Sequence, residues 1–236
     1  MSEGLYFRQL LSGRDFARDN LVARQMANFT YVIGDALTRE VVLVDPAYAP
    51  EEMLGFLREE GLELVGIVAT HYHADHIGGN LMGHRVAGIA EFAHLVDVPV
   101  HVHHVETTWV TKGTGVGVPP LVPHQSGDVL HVGAVEVTLV HTPGHTPGSQ
   151  CLVVEGHLVS GDTLFVDGCG RTDLPGSDSR EMYVSLHERL AALSDDTVLY
   201  PGHHYSPEPF ARLGDVRRHN AVLAPRGADE WLATFA

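Results

Sequence analysis

Thr70–Gly79 reads THYHADHIGG, directly after the apolar run Leu64–Ala69. His71 and His73 stand two apart and Asp75 and His76 follow, four ligand-type side chains within six residues. Neutral imidazole and carboxylate suit zinc, iron and manganese, and side chains this close in sequence serve one centre only if the loop folds around an ion. Gly78 and Gly79 let that loop and the next element approach the ion closely. A lone H-x-H pair is more often a solvated turn, but the full string at the end of an apolar run points to metal.

Working outward, three further candidates follow similar signals. His145 lies in HTPGHTPGS, where Pro143, Gly144, Pro147 and Gly148 define a tight loop. Asp162 ends HLVSGD and His203 ends VLYPGH, each beyond a short apolar run. Any one of them alone reads as a turn residue. Together with the first string they give five histidines and two carboxylates, enough for two adjacent metals. A zincin is excluded, because its H-E-x-x-H needs Glu directly after the first His and Tyr72 follows His71.

Short runs rich in Val, Leu and Ile predict strands at Phe29–Ile33, Val41–Val44, Leu64–Ala69, Val135–Val140, Cys151–Val154, His157–Ser160 and Thr197–Tyr200. Helical spacing predicts helices over Pro50–Glu60, Ser179–Leu193 and around Phe210–His219. Hairpin-like pairs such as Val135–Val140 with Cys151–Val154 argue against a purely parallel sheet. An α+β sandwich of two mixed sheets flanked by helices is therefore expected, as a single domain over residues 1–236. Thr111–Gln125, dense in Gly and Pro, reads as a long loop.

The order of HYHADH, HTPGHTPG, GD, GCGR and PGHHY along residues 28–205 resembles the metallo-β-lactamase superfamily. That resemblance implies a four-layer αβ/βα sandwich with its site at one edge. It implies that His71, His73 and His145 hold one metal, that Asp75, His76 and His203 hold a second, and that Asp162 bridges them. Asp45, ending VVLVDP, matches an aspartate that supports the ligand loop. Flavodiiron relatives carry Glu in place of His73, which argues against that chemistry. The distance from His76 to His145 exceeds the family norm, so a pocket-shaping insertion is expected around 82–125.

Within the superfamily, DTLFVDGCGRTDLPGSD (Asp162–Asp178) resembles glyoxalase II-like thioesterases and persulfide dioxygenases. Arg171 and Tyr205 match positions that contact glutathione there, although Asp173 stands where full-length glyoxalase II enzymes carry an aromatic residue. The resemblance implies a hydrolase with two divalent ions, zinc favoured, whose bound hydroxide cleaves a thioester or ester while Asp75 orients the nucleophile, and the two cysteines without disulfide spacing lead to the expectation that it is cytoplasmic. The alternative it implies is a persulfide dioxygenase with one Fe2+ on His71, His145 and Asp162.

Composition narrows the partners. Lys plus Arg number 15 against 30 Asp plus Glu, a formal net charge of −15, so nucleic acid would be repelled. Lys112 is the only lysine and the arginines are scattered rather than clustered, so a small or anionic-tipped substrate could be held by one or two of these basic residues. No run is long and apolar enough to suggest a membrane partner, and Cys151 and Cys169 lack metal or disulfide spacing, as in a reducing compartment. His101, His103 and His104 in VHVHHVE are expected to be structural, Trp109 to be packing and Cys169 to be a small buried residue. Trp231 and Phe235 are expected to pack on the domain or across a homodimer.

Overall fold

The computed structural model describes residues 4–115, 120–224 and 227–235. In chain order its strands are β1 (Leu5–Leu11), β2 (Phe29–Asp35), β3 (Glu40–Val44), β4 (Glu63–Val68), β5 (Gly79–Leu81), β6 (His84–Val86), β7 (Val100–His103), β8 (Leu121–His124), β9 (Val129–Val132), β10 (Val135–His141), β11 (Gln150–Val154), β12 (His157–Gly161), β13 (Val198–Pro201) and β14 (Ala211–Arg212). The helices between them are α1 (Leu21–Met26), α2 (Pro50–Glu59), α3 (Ala74–Ile77), α4 (Ile89–Leu95), α5 (Thr107–Thr114), α6 (Ser179–Val184), α7 (Leu213–His219) and α8 (Ala228–Phe235).

One sheet runs β1-β2-β3-β4-β7-β8 and the other β14-β13-β12-β11-β10-β9, with β5 and β6 a separate hairpin. Both large sheets are mixed. β1, β2 and β3 pair antiparallel while β3, β4, β7 and β8 pair parallel. In the second sheet the β12–β13 pair is parallel and the others are antiparallel.

The period-two alternation of strand side chains makes the layers. Along β3, Val42 and Val44 face the second sheet and pack with Val137, Leu139, Leu152 and Val159. Val41 and Leu43 face outward, against Met53 and Leu57 of α2 and Phe92 of α4. Cys151, Leu158 and Leu199 form the outer face of the second sheet, covered by Met182 of α6, Leu213 of α7 and Trp231 of α8. The result is the four-layer αβ/βα sandwich, and Trp231 lies fully buried in its own domain.

Several boundaries differ from the sequence reading. Thr111–Gln125 is not one loop: Thr111–Thr114 complete α5 and Leu121–His124 form β8, while residues 116–119 lie outside the described residues. Val122 and its neighbours pair with β7, so tertiary pairing overrides the turn signals there. Within the stretch read as an insertion, Val100–His103 is a central strand beside β4, so much of 82–125 is scaffold. The helix from Ser179 is α-helical to Val184 and widens into π-type turns over Ser185–Arg189. The helix expected around Phe210 begins at Leu213, because Ala211 and Arg212 pair with β13. No helix among the described residues is long and apolar enough to cross a membrane.

Candidate metal centre

The ligand-type residues leave the scaffold at one edge. β3 ends into Asp45, β4 into Thr70-His71, β10 into the His145 loop, β12 into Asp162 and β13 into His203. Parallel pairing brings the ends of β3 and β4 side by side, and likewise those of β12 and β13. Residues as far apart in the chain as Asp45 and His203 therefore meet between the two sheets.

All seven side chains expected at the site converge there. Two groups form, His71 with His73 and His145, and Asp75 with His76 and His203. His145 Nε2 lies 2.9 Å from His73 Nδ1, and His76 Nε2 lies 3.2 Å from His203 Nε2. Asp162 stands between the groups, with Oδ2 3.6 Å from His145 Nε2 and 3.3 Å from His203 Nε2, and Oδ1 3.4 Å from His76 Nε2.

Four of the five rings are aimed by their other nitrogen. His145 Nδ1–H donates to the Arg171 carbonyl at 2.8 Å and His203 Nδ1–H to the Met26 carbonyl at 2.7 Å, which leaves each Nε2 lone pair facing inward. Asp45 serves two rings. Its Oδ2 accepts from His76 Nδ1–H at 2.9 Å and from the Thr70 hydroxyl at 2.6 Å, and that hydroxyl accepts from His71 Nδ1–H at 3.0 Å. Asp45 Oδ1 accepts from Thr70 N at 2.7 Å. Although Asp45 also lies close to His71 and His76 as a candidate ligand, its oxygens are engaged, and it acts as a positioning residue.

The donor set fits metal ions. His71 Nε2 and Asp162 Oδ1 are buried with no hydrogen-bond partner, a costly arrangement that a cation would relieve. Ligand atoms bonded at about 2.0–2.1 Å to one ion stand about 3–3.5 Å from one another, which matches the separations above. The electrostatics divide the site. Burial, reinforced by the neighbouring imidazoles, holds His71 well below the ordinary histidine range; burial and His145 bring His73 down to about 4, and burial lowers His145. For His76 and His203 burial acts in the same sense but Asp162 and Asp75 outweigh it and hold both above that range. Asp162 and Asp75 are lowered in return: burial would raise them, and the facing His203 and His76 outweigh it.

Two neighbours carried no sequence signal. Asn28 directs its amide Nδ2 at Asp75 Oδ2, 3.0 Å away, with His76 Nε2 at 3.2 Å, and Tyr48 OH donates to its Oδ1 at 2.9 Å. Glu106 is buried beneath both ligand loops and accepts from Tyr72 N, Thr146 Oγ1 and Gly148 N at 2.7–2.9 Å. Neither residue stands at a recognisable spacing from the ligands, so only the fold reveals them. The GCGR loop also proves to back the ligands, because a β-carbon at Gly170 would overlap the Asp162 carbonyl and come within 2.9 Å of the His145 ring.

The chain is similar to known proteins over most of its length. Residues 24–203 match the profile of the Metallo-beta-lactamase superfamily. The chain belongs to that superfamily. It is 32% identical over 226 residues to the mitochondrial persulfide dioxygenase ETHE1 of Homo sapiens, a match spanning 92% of this chain and 81% of that protein. It is 33% identical over 187 residues to the probable hydroxyacylglutathione hydrolase glo2 of Schizosaccharomyces pombe, spanning 76% of this chain and 64% of that one. The crystal structure of ETHE1 from Myxococcus xanthus superimposes with a TM-score of 0.78 at 28% identity, covering 98% of this chain and 89% of that one.

As a member of this superfamily the chain is an enzyme with a metal-binding His/Asp cluster, and the centre opens into a cavity of about 810 Å³. Met26, Leu81, Met82, Phe165, Leu174 and Pro175 supply apolar wall. Arg171 reaches the cavity but forms a two-pronged ion pair with Asp173 at 2.8 Å, both side chains exposed. Tyr205 stacks on His203 with ring centroids 4.4 Å apart. Burial pushes the Cys169 thiol up to about 12, so it stays protonated beside the cavity. Trp109 stacks on Tyr72 at 4.9 Å. The second histidine group turns away: His101 Nδ1 pairs with His124 Nε2 at 2.8 Å and His103 stacks on His141 at 3.7 Å.

Proposed function

We propose that the enzyme is a metal-dependent hydrolase that cleaves a thioester or ester, hydroxyacylglutathione-like, with two divalent ions and zinc favoured. The carrying observation is Asp162, whose two oxygens address both ligand groups, each otherwise rich in imidazole. Two bound ions at such a centre lower the pKa of water toward neutrality and polarise the scissile carbonyl. Asp75, nearly buried and oriented by the Asn28 amide, is placed to hold or accept the proton of the attacking water. Phe165, Leu174 and Met26 limit bulk water around the reacting group. Arg171 and Tyr205 stand at the rim as substrate contacts.

A second reading, a persulfide dioxygenase using one Fe2+ on His71, His145 and Asp162, is favoured by the 92% coverage in the likeness to human persulfide dioxygenase. It is also favoured by the inequality of the two groups, since an amide donor already reaches the Asp75–His76–His203 group. The test is metal analysis of protein produced with zinc or iron, together with hydrolysis of an acylthiol panel and oxygen uptake on glutathione persulfide. Two zinc ions per chain, with hydrolysis lost on chelation and restored by zinc, are expected. One iron per chain with oxygen uptake and no hydrolysis would replace the first reading by the second.

A further inference from the structure

The hairpin β5–β6 turns through Met82 and Gly83, both with positive φ, +48° and +88°. A two-residue turn of this kind favours Asn-Gly, and a methionine there is strained. Met82 is 86% exposed, so folding gains little from burying it, yet it lines the mouth of the catalytic cavity. Strain at a cavity mouth is where function is to be sought. The hairpin rests on the end of α5: a β-carbon at Gly79 would lie 2.6 Å from the Gly113 carbonyl oxygen. That contact places Leu81, Met82 and Lys112 on one wall of the cavity.

Lys112 is the only lysine in a chain of net charge −15. Its ammonium lies 5.9 Å over the Trp109 ring and has no ion-pair partner among the described residues. The other arginine or lysine on the cavity wall, Arg171, is occupied by Asp173. Asp75 and Asp162 on the cavity wall belong to the metal centre, so the fixed charges left to face an anion away from that centre are the acid Asp167 and the unpaired Lys112. Lys112 also lines a second, smaller cavity of about 320 Å³, which shares Asn80 and Gly113 with the first.

We infer that Lys112 is a specificity-determining residue that reads an anionic group at the far end of the substrate, while Leu81 and Met82 hold an apolar segment between that group and the metal centre. The substrate class is then an acyl thioester with a carboxylate or comparable anion on its thiol portion. This rests on the hydrolase reading.

The test compares wild-type, Lys112→Ala and Lys112→Arg metal-loaded protein on the butanoyl thioester of 3-mercaptopropionate and on the methyl ester of that compound. The preference for the carboxylate probe, as a ratio of kcat/KM, is expected to fall about threefold to fivefold in Lys112→Ala, the range of an exposed ion pair, and to be retained in Lys112→Arg. Calorimetric binding of the matching non-hydrolysable thioethers gives a readout independent of turnover. If both thioesters are cleaved and the preference is unchanged by Lys112→Ala, this inference falls and the hydrolase reading stands. If neither is cleaved but the carboxylated thioether binds better, and loses that advantage in Lys112→Ala, the hydrolase reading falls and Lys112 keeps its role. Binding of neither thioether and cleavage of neither thioester overturns both.

Discussion

The carboxylate of Glu106 accepts the backbone N–H of Tyr72 at 2.9 Å, so a residue outside the metal centre fixes the loop that carries His71 and His73. The same carboxylate reaches Thr146 and Gly148 beside His145, joining two ligand loops through one buried acid. Glu106→Gln keeps the shape but must turn an amide N–H toward a backbone donor. A stability loss of about 1–3 kcal/mol is expected, with faster metal release. Urea unfolding with parallel chelator-release kinetics reads both; an unchanged release rate would confine Glu106 to folding.

Asp45 adopts φ +52°, a left-handed conformation that aspartate tolerates better than most residues, and there it orients His76 directly and His71 through Thr70. Asp45→Asn removes the charge that fixes these tautomers. Metal affinity is expected to weaken about 10- to 100-fold while the fold persists. Competition with a metal indicator checks the first part, and circular dichroism the second.

Trp231 fills the space between α8 and the second sheet and donates its indole N–H to the Val222 carbonyl at 2.9 Å. Trp231→Ala is expected to cost about 3–5 kcal/mol of stability. Metal stoichiometry should be retained, because the tryptophan lies on the outer face of the sheet and not at its ligand-bearing edge. A denaturant midpoint that does not move would show α8 to be dispensable.

His101 is pressed down to about 4 by burial, with His124 on β8 adding to the effect; Asp128, 3.3 Å from the far side of His124, is the facing acid. Because the folded value lies below the ordinary 6.5, the unfolded chain takes up a proton that the fold refuses. Stability contributed at this position is intact above about pH 6.5 and declines as pH falls toward 4, by roughly 2 kcal/mol. Urea unfolding at pH 7.5 and 4.5 should show a smaller loss for His101→Gln than for wild type. Equal losses would mean that His101 does not titrate across this window.

The sequence by itself determined which side chains could bind metal and most of the scaffold. Those features are local: alternating apolar runs such as Val41–Val44 must bury two faces, and a ligand such as His71 must leave the end of a strand. The turn signals of Thr111–Gln125 misled because β8 gains its place from pairing with β7, not from its own composition. Tertiary structure alone decided that Asn28 meets Asp75 across 47 positions, that Glu106 underpins Tyr72 across 34, and that the Met82 hairpin brings Lys112 to the cavity wall. Such contacts depend on how sheets and helices pack, and packing leaves no fixed spacing in the chain.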